Sequence, residues 1–202
     1  MEKTTPGEGV SAITGQTSGG GASRVAMVLT VLAFAMLSLG GVGAVWWLQQ
    51  LYAGPTIDEY LARHAATSAK LVPAGQLQSG GETFSCGRFP TILNAGLDDY
   101  GAAYFGFVLI NPARFETLPA ILKLYAYGHE CGHQHVGYDE GEADCYSIRR
   151  GRAQGWLDQK GMDEICDFIS RSKGDAAHAF GLRRCDMMRR CFAHARPGRE
   201  RL

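Results

Sequence analysis

From Val25 to Leu48 the chain runs through 24 residues without a charge, and nothing else in its 202 residues constrains its architecture as strongly. A stretch of that length spans about 36 Å as a helix, enough to cross the hydrocarbon core of a bilayer with some tilt. Trp46, Trp47 and Tyr52 close it, and aromatic rings of this kind favour the membrane–water interface. The run over 25–48 therefore reads as one transmembrane helix. Val42-Gly43-Ala44 resembles a small-residue cleavage site, which gives the rival reading of a signal peptide. The long tail ahead of the run and the length of the run favour an uncleaved signal anchor. Residues 1–24, rich in Gly, Ser and Thr, bury too little surface to fold and read as a disordered tail. Arg24 borders the run on one side, and Asp58 and Glu59 are the first charges on the other. Positive-inside reasoning then puts the N-terminus in the cytoplasm and the C-terminal domain outside, in the periplasm if the cell is bacterial.

Behind such an anchor, residues 49–82 read as a stalk and linker, with a short amphipathic helix over 57–71 and a polar stretch from Gly75 to Gly81. Residues 83–202 are left to form the domain. Its charges balance, 20 basic against 20 acidic over the whole chain, so no global field points to nucleic acid. The arginines from Arg183 to Arg201 are not interleaved with aromatics as a base-stacking platform would be, and read as a solvated helix face. Six cysteines are present: Cys86, Cys131, Cys145, Cys166, Cys185 and Cys191. An even count fits disulfides in an oxidising compartment, although spacing does not reveal their pairing. The absence of a CxxC pair argues against a structural zinc knuckle, and Cys185 and Cys191, six apart on one expected helix, are too distant to join each other.

Pattern along the domain predicts an α+β fold, rich in helix, with a small sheet. The run Tyr104–Ile110 (YFGFVLI), bounded by Gly101 and by Asn111-Pro112, reads as a strand. A helix is expected from about Thr117, with Pro119 in its first turn, where a missing N–H costs nothing. Leu118, Leu122 and Tyr125 then step by threes and fours into His129 and His133, which places both histidines on the buried stripe. Gly137 ends that helix, and Asp139 caps the next, which stops before Gly155. Two more helices are expected. One covers Met162–Ser172 with Ile165, Cys166 and Ile169 inward; the other covers Leu182–Ala193 with Cys185, Met188 and Phe192 at core spacing.

The segment that carries chemistry is HECGHQHVGYDEGEAD, residues 129–144. His129-Glu130-Cys131-Gly132-His133 fits H-E-x-x-H. Four residues advance a helix by about 400°, so both imidazoles point the same way and can grip one metal ion. Glu130 is then placed to accept a proton from water at the metal rather than to ligate. Zinc suits two imidazoles and a carboxylate because it imposes no geometry of its own. Glu140 and Asp144, four apart on the following helix, supply a third ligand and a carboxylate to hold a ligand histidine. Asp139 and Glu142 are the rivals of Glu140 for the third place. His135 falls off the ligand face and reads as surface or cap.

With Glu140-x-x-Ala143-Asp144 behind the first motif and His178-x-x-Gly181-x-x-Arg184 further on, the chain resembles the gluzincin metallopeptidases. Within them it is most similar to the membrane-associated group of CAAX prenyl proteases and bacterial heat-shock membrane proteases. The resemblance covers about residues 104–191 and implies a zincin-like domain. It implies His129, His133 and Glu140 as zinc ligands, Glu130 as general base and Asp144 as support behind a ligand. It also brings His178 and Arg184 near the reacting centre, to steady an oxyanion or to pack beside it. The sequence departs from that group in two places: the interval from His133 to Glu140 is shorter, and Ala179 stands where a proline is usual.

The function expected is hydrolysis of a peptide bond in a peptide or protein substrate by a membrane-anchored zinc metalloendopeptidase. An extended substrate could add to the edge of the Tyr104–Ile110 strand. The alternative from another class is a membrane-tethered, non-catalytic zinc-binding interaction or assembly module.

Overall fold

A computed structural model describes residues 54–174 and 178–198. The tail expected over 1–24 and the transmembrane helix expected over 25–48 lie outside these residues. Among the described residues no helix is long and apolar enough to cross a membrane. The chain divides between Tyr52 and Ala53, and everything described belongs to the second compact unit.

That unit is α+β and rich in helix, with a small mixed sheet. It opens with α1 (Ile57–Arg63), capped by Thr56, whose hydroxyl accepts from the Glu59 amide while the Glu59 carboxylate accepts from the Thr56 amide. A 3₁₀ turn over Ala65–Thr67 leads to β1 (Lys70–Val72), then to the hairpin of β2 (Leu77–Ser79) and β3 (Glu82–Phe84). β4 (Thr91–Leu93), β5 (Gly101–Tyr104) and β6 (Phe107–Ile110) follow. The four-stranded sheet has the order β1-β4-β6-β5, with β4 parallel to β6 and the other two pairs antiparallel. The helices are α2 (Pro112–Glu116), α3 (Ala120–Val136), α4 (Glu140–Gln154), α5 (Gln159–Ile169) and α6 (Gly181–His194).

Several expectations need correction. Tyr104–Ile110 is a hairpin rather than one strand: Phe105 and Gly106 turn the chain, with Gly106 at φ +100° where a side chain is disfavoured. Thr117 does not start the long helix. Asn111 caps a separate short α2 with Pro112 at its first position, Thr117 ends it, and Pro119 stands at the cap before α3. Residues 49–82 are not merely a stalk and linker. From 57 onward they form α1 and three strands, in part or whole, and they bury Tyr60, Leu77 and Ser79. Short strands with little alternation conceal this, because three residues are too few to show a period.

Gly137 and Gly155 end α3 and α4 as expected, and Asp139 caps α4 by accepting from the Glu142 amide. α5 begins three residues earlier than expected, at Gln159 behind the Asp158 cap, and ends at Ile169. The main core lies between β6, α3, α4, α5 and α6. Val108, Ile110, Leu122, Ile148, Met162, Ile165, Met188 and Phe192 all pack there. A smaller cluster of Tyr60, Ile92, Phe107 and Leu109 fills the other face of the sheet. All six cysteines pair, as Cys86–Cys131, Cys145–Cys191 and Cys166–Cys185.

Candidate metal centre

α3 and α4 pack closely enough for their side chains to share one site. A Cβ on Gly128 would lie 2.4 Å from Ser147 Oγ, and one on Gly132 would lie 3.0 Å from the Ala143 backbone. Two glycines four residues apart thus open a slot along α3 into which α4 settles. The slot brings Glu140 and Asp144 of α4 against His129 and His133 of α3.

The contacts are those of a ligand set. His129 Nε2 and His133 Nε2 are 3.2 Å apart, and Glu140 Oε2 lies 3.0 Å from the first and 3.5 Å from the second. The far ring nitrogens are already engaged. His129 Nδ1 meets Asp144 Oδ1 at 2.8 Å, and His133 Nδ1 meets the Gly137 carbonyl oxygen at 2.7 Å. A carboxylate and a carbonyl can only accept, so in the neutral rings each Nδ1 carries the proton and each Nε2 presents a lone pair. Three acceptors then face one another with no donor among them. Glu140 Oε2 is buried and makes no directed hydrogen bond. Such an arrangement requires a shared cation or proton, and the residues fit a metal ion.

His178 joins the group, with its Nε2 3.0 Å from Glu140 Oε2, so that His129, Glu140 and His178 also lie within ligand reach of one another. Asp139 and Glu142 are elsewhere. The first holds the α4 cap and the second reaches Arg149 at 3.6 Å. Of the three acidic rivals, only Glu140 meets the histidines. His135 is exposed, stacked on Tyr146 at 4.9 Å, off the ligand face as expected.

Asp144, fully buried, is the hub behind the site. Besides His129 it accepts from Tyr125 Oη at 2.6 Å, from Arg184 Nε at 2.9 Å and from Arg184 Nη2 at 2.8 Å. Burial alone would push its pKa up, but the hydrogen bonds from His129 and Arg184 outweigh that and hold the carboxyl far below its usual range. Asp144 is therefore always an acceptor, and it fixes the tautomer of His129. Burial pulls His129 down, while Asp144 and Glu140 overcompensate and hold the metal-free imidazolium to about 10. A metal ion has to displace that proton. Arg184 reaches the site through Asp144 rather than from the cleft side, and also donates to Tyr125 Oη at 3.2 Å.

Glu130 stands beside the ligands. Burial, reinforced by Glu140, Asp99 and Asp144 against the opposing charge of His129, raises its carboxyl to about 7. β5 comes very close to it: a Cβ at Gly101 would lie 2.7 Å from Glu130 Cγ. Two cavities meet here. One of about 440 Å³ is lined by His129, Glu130 and His178 and by the apolar Leu118, Leu122 and Phe168. The other, about 430 Å³, runs along Gly101, Ala102 and Ala103 of β5 to Tyr138. β5 is the edge of the sheet, and among the described residues no strand pairs with its far side.

Sequence reasoning had named His129, Glu130, His133, Glu140, Asp144, His178 and Arg184, and the structure brings all seven to one site. It had not found Tyr125 as a polar partner, since helical spacing presents it as a core residue, nor Gly101, whose signal is only a glycine before a strand. The slot glycines, Gly128 and Gly132, flank the motif in plain view, and their four-residue step is the signal that could have revealed the helix crossing. No protein-family model, no curated protein and no solved structure gives a significant match to the chain.

Proposed function

We propose that this chain is a membrane-anchored zinc metallopeptidase, similar at its centre to the gluzincin group of CAAX prenyl proteases and bacterial heat-shock membrane proteases. One observation carries the reading: Nε2 of His129, Nε2 of His133 and Oε2 of Glu140 converge, three acceptors when both rings are neutral, beside Glu130 and at the meeting of two cavities. Two neutral imidazoles and a carboxylate are a zinc donor set with a position left for substrate. Zinc held there supplies a Lewis acid that polarises a carbonyl and acidifies water.

The rest of the chemistry falls to the chain. Glu130, with its carboxyl held to about 7, takes up a proton near neutrality and releases it again to a leaving amine. Asp144 and the Gly137 carbonyl keep both Nε2 atoms turned to the metal position. Arg184 and Tyr125 keep Asp144 in place. The open edge of β5 offers backbone groups to an extended peptide, and the apolar cavity offers room for one of its side chains. The 25–48 run is the anchor in this reading, with the domain on the oxidising side of the membrane, where three disulfides persist.

Metal analysis of the purified full chain is the test. About one zinc per chain, lost in His133→Ala with the fold retained, is expected, as is peptide hydrolysis that Glu130→Gln abolishes without losing zinc. A chain that takes up no zinc, or a Glu130→Gln variant that still cleaves, sinks the reading. A second reading has its own support, since His178 stands within reach of the same metal position. Four protein ligands would close the site and make it structural, in a membrane-tethered zinc-binding interaction or assembly module. In that case His178→Ala would weaken zinc binding, and no peptide would be cleaved.

A further inference from the structure

Among the described residues, the large apolar side chain with the greatest fractional exposure sits at the tip of the β5–β6 hairpin. Phe105 is 74% exposed, and Tyr138, in the turn that follows α3, is 70% exposed. The two belong to one end of the molecule, because the end of α3 holds the hairpin turn. The Gln134 side chain accepts from the Gly106 amide at 2.8 Å and donates to the carbonyls of Tyr104 at 2.8 Å and Phe107 at 3.1 Å. Phe105 is therefore projected from a braced turn. A single exposed aromatic ring is common on a protein surface, so its surroundings decide what it meets.

The chain itself says what those are. It enters the domain against this hairpin: a Cβ on Gly54 would lie 2.9 Å from the ring of Tyr104, the residue next to Phe105. The charge-free run ends at Leu48, six residues before Gly54. Six residues reach at most about 20 Å fully extended. Chain length alone thus keeps Gly54, where the described domain starts, within that distance of Leu48. The hairpin is also free of charge, with no acidic or basic residue from Tyr100 to Ala113. Phe and Tyr on an uncharged turn suit the boundary between headgroups and acyl chains. The other exposed apolar residues, Leu71 on the opposite edge of the sheet and Phe180 and Leu182 at the start of α6, have no such link to the chain entry.

We infer that the β5–β6 turn, through Phe105 with Tyr138 beside it, docks on the surface of the bilayer that holds the anchor. This inference rests on the membrane-anchored reading above and extends it to how the domain faces the lipid. It holds the cleft along Gly101–Ala103 at the height of the headgroups, so that juxtamembrane segments of other membrane proteins are the peptides within reach. Because the turn carries no charge, the contact does not depend on ionic strength.

The experiment uses the full chain in phosphatidylcholine–phosphatidylglycerol vesicles, with an environment-sensitive fluorophore on Phe105→Cys or, as a control, on Gln154→Cys at the end of α4. Expected are a blue shift and quenching by brominated acyl chains at position 105 only, unchanged by high salt. Amide exchange of 103–107 in the otherwise unmodified chain should be slower in vesicles than in Phe105→Asp, which provides a reading without a label. Vesicle-bound protein whose label at 105 is as aqueous as that at 154 overturns the docking while leaving the anchor intact. A blue shift that brominated lipid does not quench also overturns it, pointing to a second copy of the chain on this face. A chain that does not float with vesicles refutes the anchor and the docking together, and leaves the zinc result standing on its own.

Discussion

The helical part of the domain and its sheet are held together by different means. Around the candidate centre the interior is charged: Asp144 and His129 are both buried. Here each disulfide begins or ends beside a residue of the site. Cys131 follows Glu130, Cys145 follows Asp144 and Cys185 follows Arg184. Across the sheet the smaller cluster is apolar, and its buried polar neighbour is neutral and paired, Asn94 donating to Tyr60 Oη at 2.7 Å. Apolar packing tolerates small displacements gradually. A buried carboxylate is stabilised only while its donors stay in place. Covalent ties next to Glu130, Asp144 and Arg184 limit how far those donors can drift, whereas the sheet needs none beyond the link from Cys86 to α3.

The sharpest way to break this contrast is Asp144→Ala, which leaves Arg184 and Tyr125 buried without their acceptor. A loss of about 3–5 kcal/mol is expected, together with loss of zinc, read by denaturant unfolding and metal analysis. A loss under about 1 kcal/mol would mean that the network is not stabilising. Next comes the pair Cys145→Ala and Cys191→Ala, expected to cost roughly 2–4 kcal/mol and to speed zinc release in a chelator chase. Unchanged release would show that the disulfide supports the fold but not the site.

The third expectation concerns pH in the metal-free chain. His129 is raised in the folded state to about 10 from its ordinary 6.5, so the stability it adds is complete below about pH 6.5 and is lost as pH rises toward 10. Asp144 is lowered, so its contribution is present above its ordinary 3.8 and is lost as pH falls below that value. The thermal midpoint of the metal-free chain should therefore decline between pH 7 and 10, and zinc should bind more tightly over the same interval as the competing proton leaves. A midpoint that is flat with pH would contradict the Asp144–His129 pairing. The smallest effect belongs to the sheet. Gln134→Ala should cost about 1–2 kcal/mol by freeing the hairpin turn, raising KM for an extended peptide while zinc content stays constant.

Much of the helical part could be read in advance because its signals are local. Gly137, Asp139 and Gly155 are caps whose chemistry is decided within a turn, and they lie where expected. The hairpin could not be read from its letters in the same way. YFGFVLI has the composition of one strand, and only pairing with β6 and the positive φ of Gly106 divide it. Leu77 was hidden for a related reason: the strands β1 to β3 have three residues each, too short to show which face is inward.

The sequence by itself determined the part of the site that one helix can hold. The i, i+4 spacing of His129 and His133 turns both rings to one side, and Glu140 and Asp144 repeat that spacing on the next helix, because helical geometry is the same wherever the helix sits. It did not determine which carboxylate meets the histidines. That depended on the slot at Gly128 and Gly132, on a turn that leaves Asp139 at the cap, and on Arg184 arriving from 40 residues beyond Asp144 to hold it ionised. Disulfide pairing belonged to the same class, with partners 45, 46 and 19 residues apart. Contacts over such separations depend on how helices pack, and packing is a property of the assembled core rather than of any one stretch of chain.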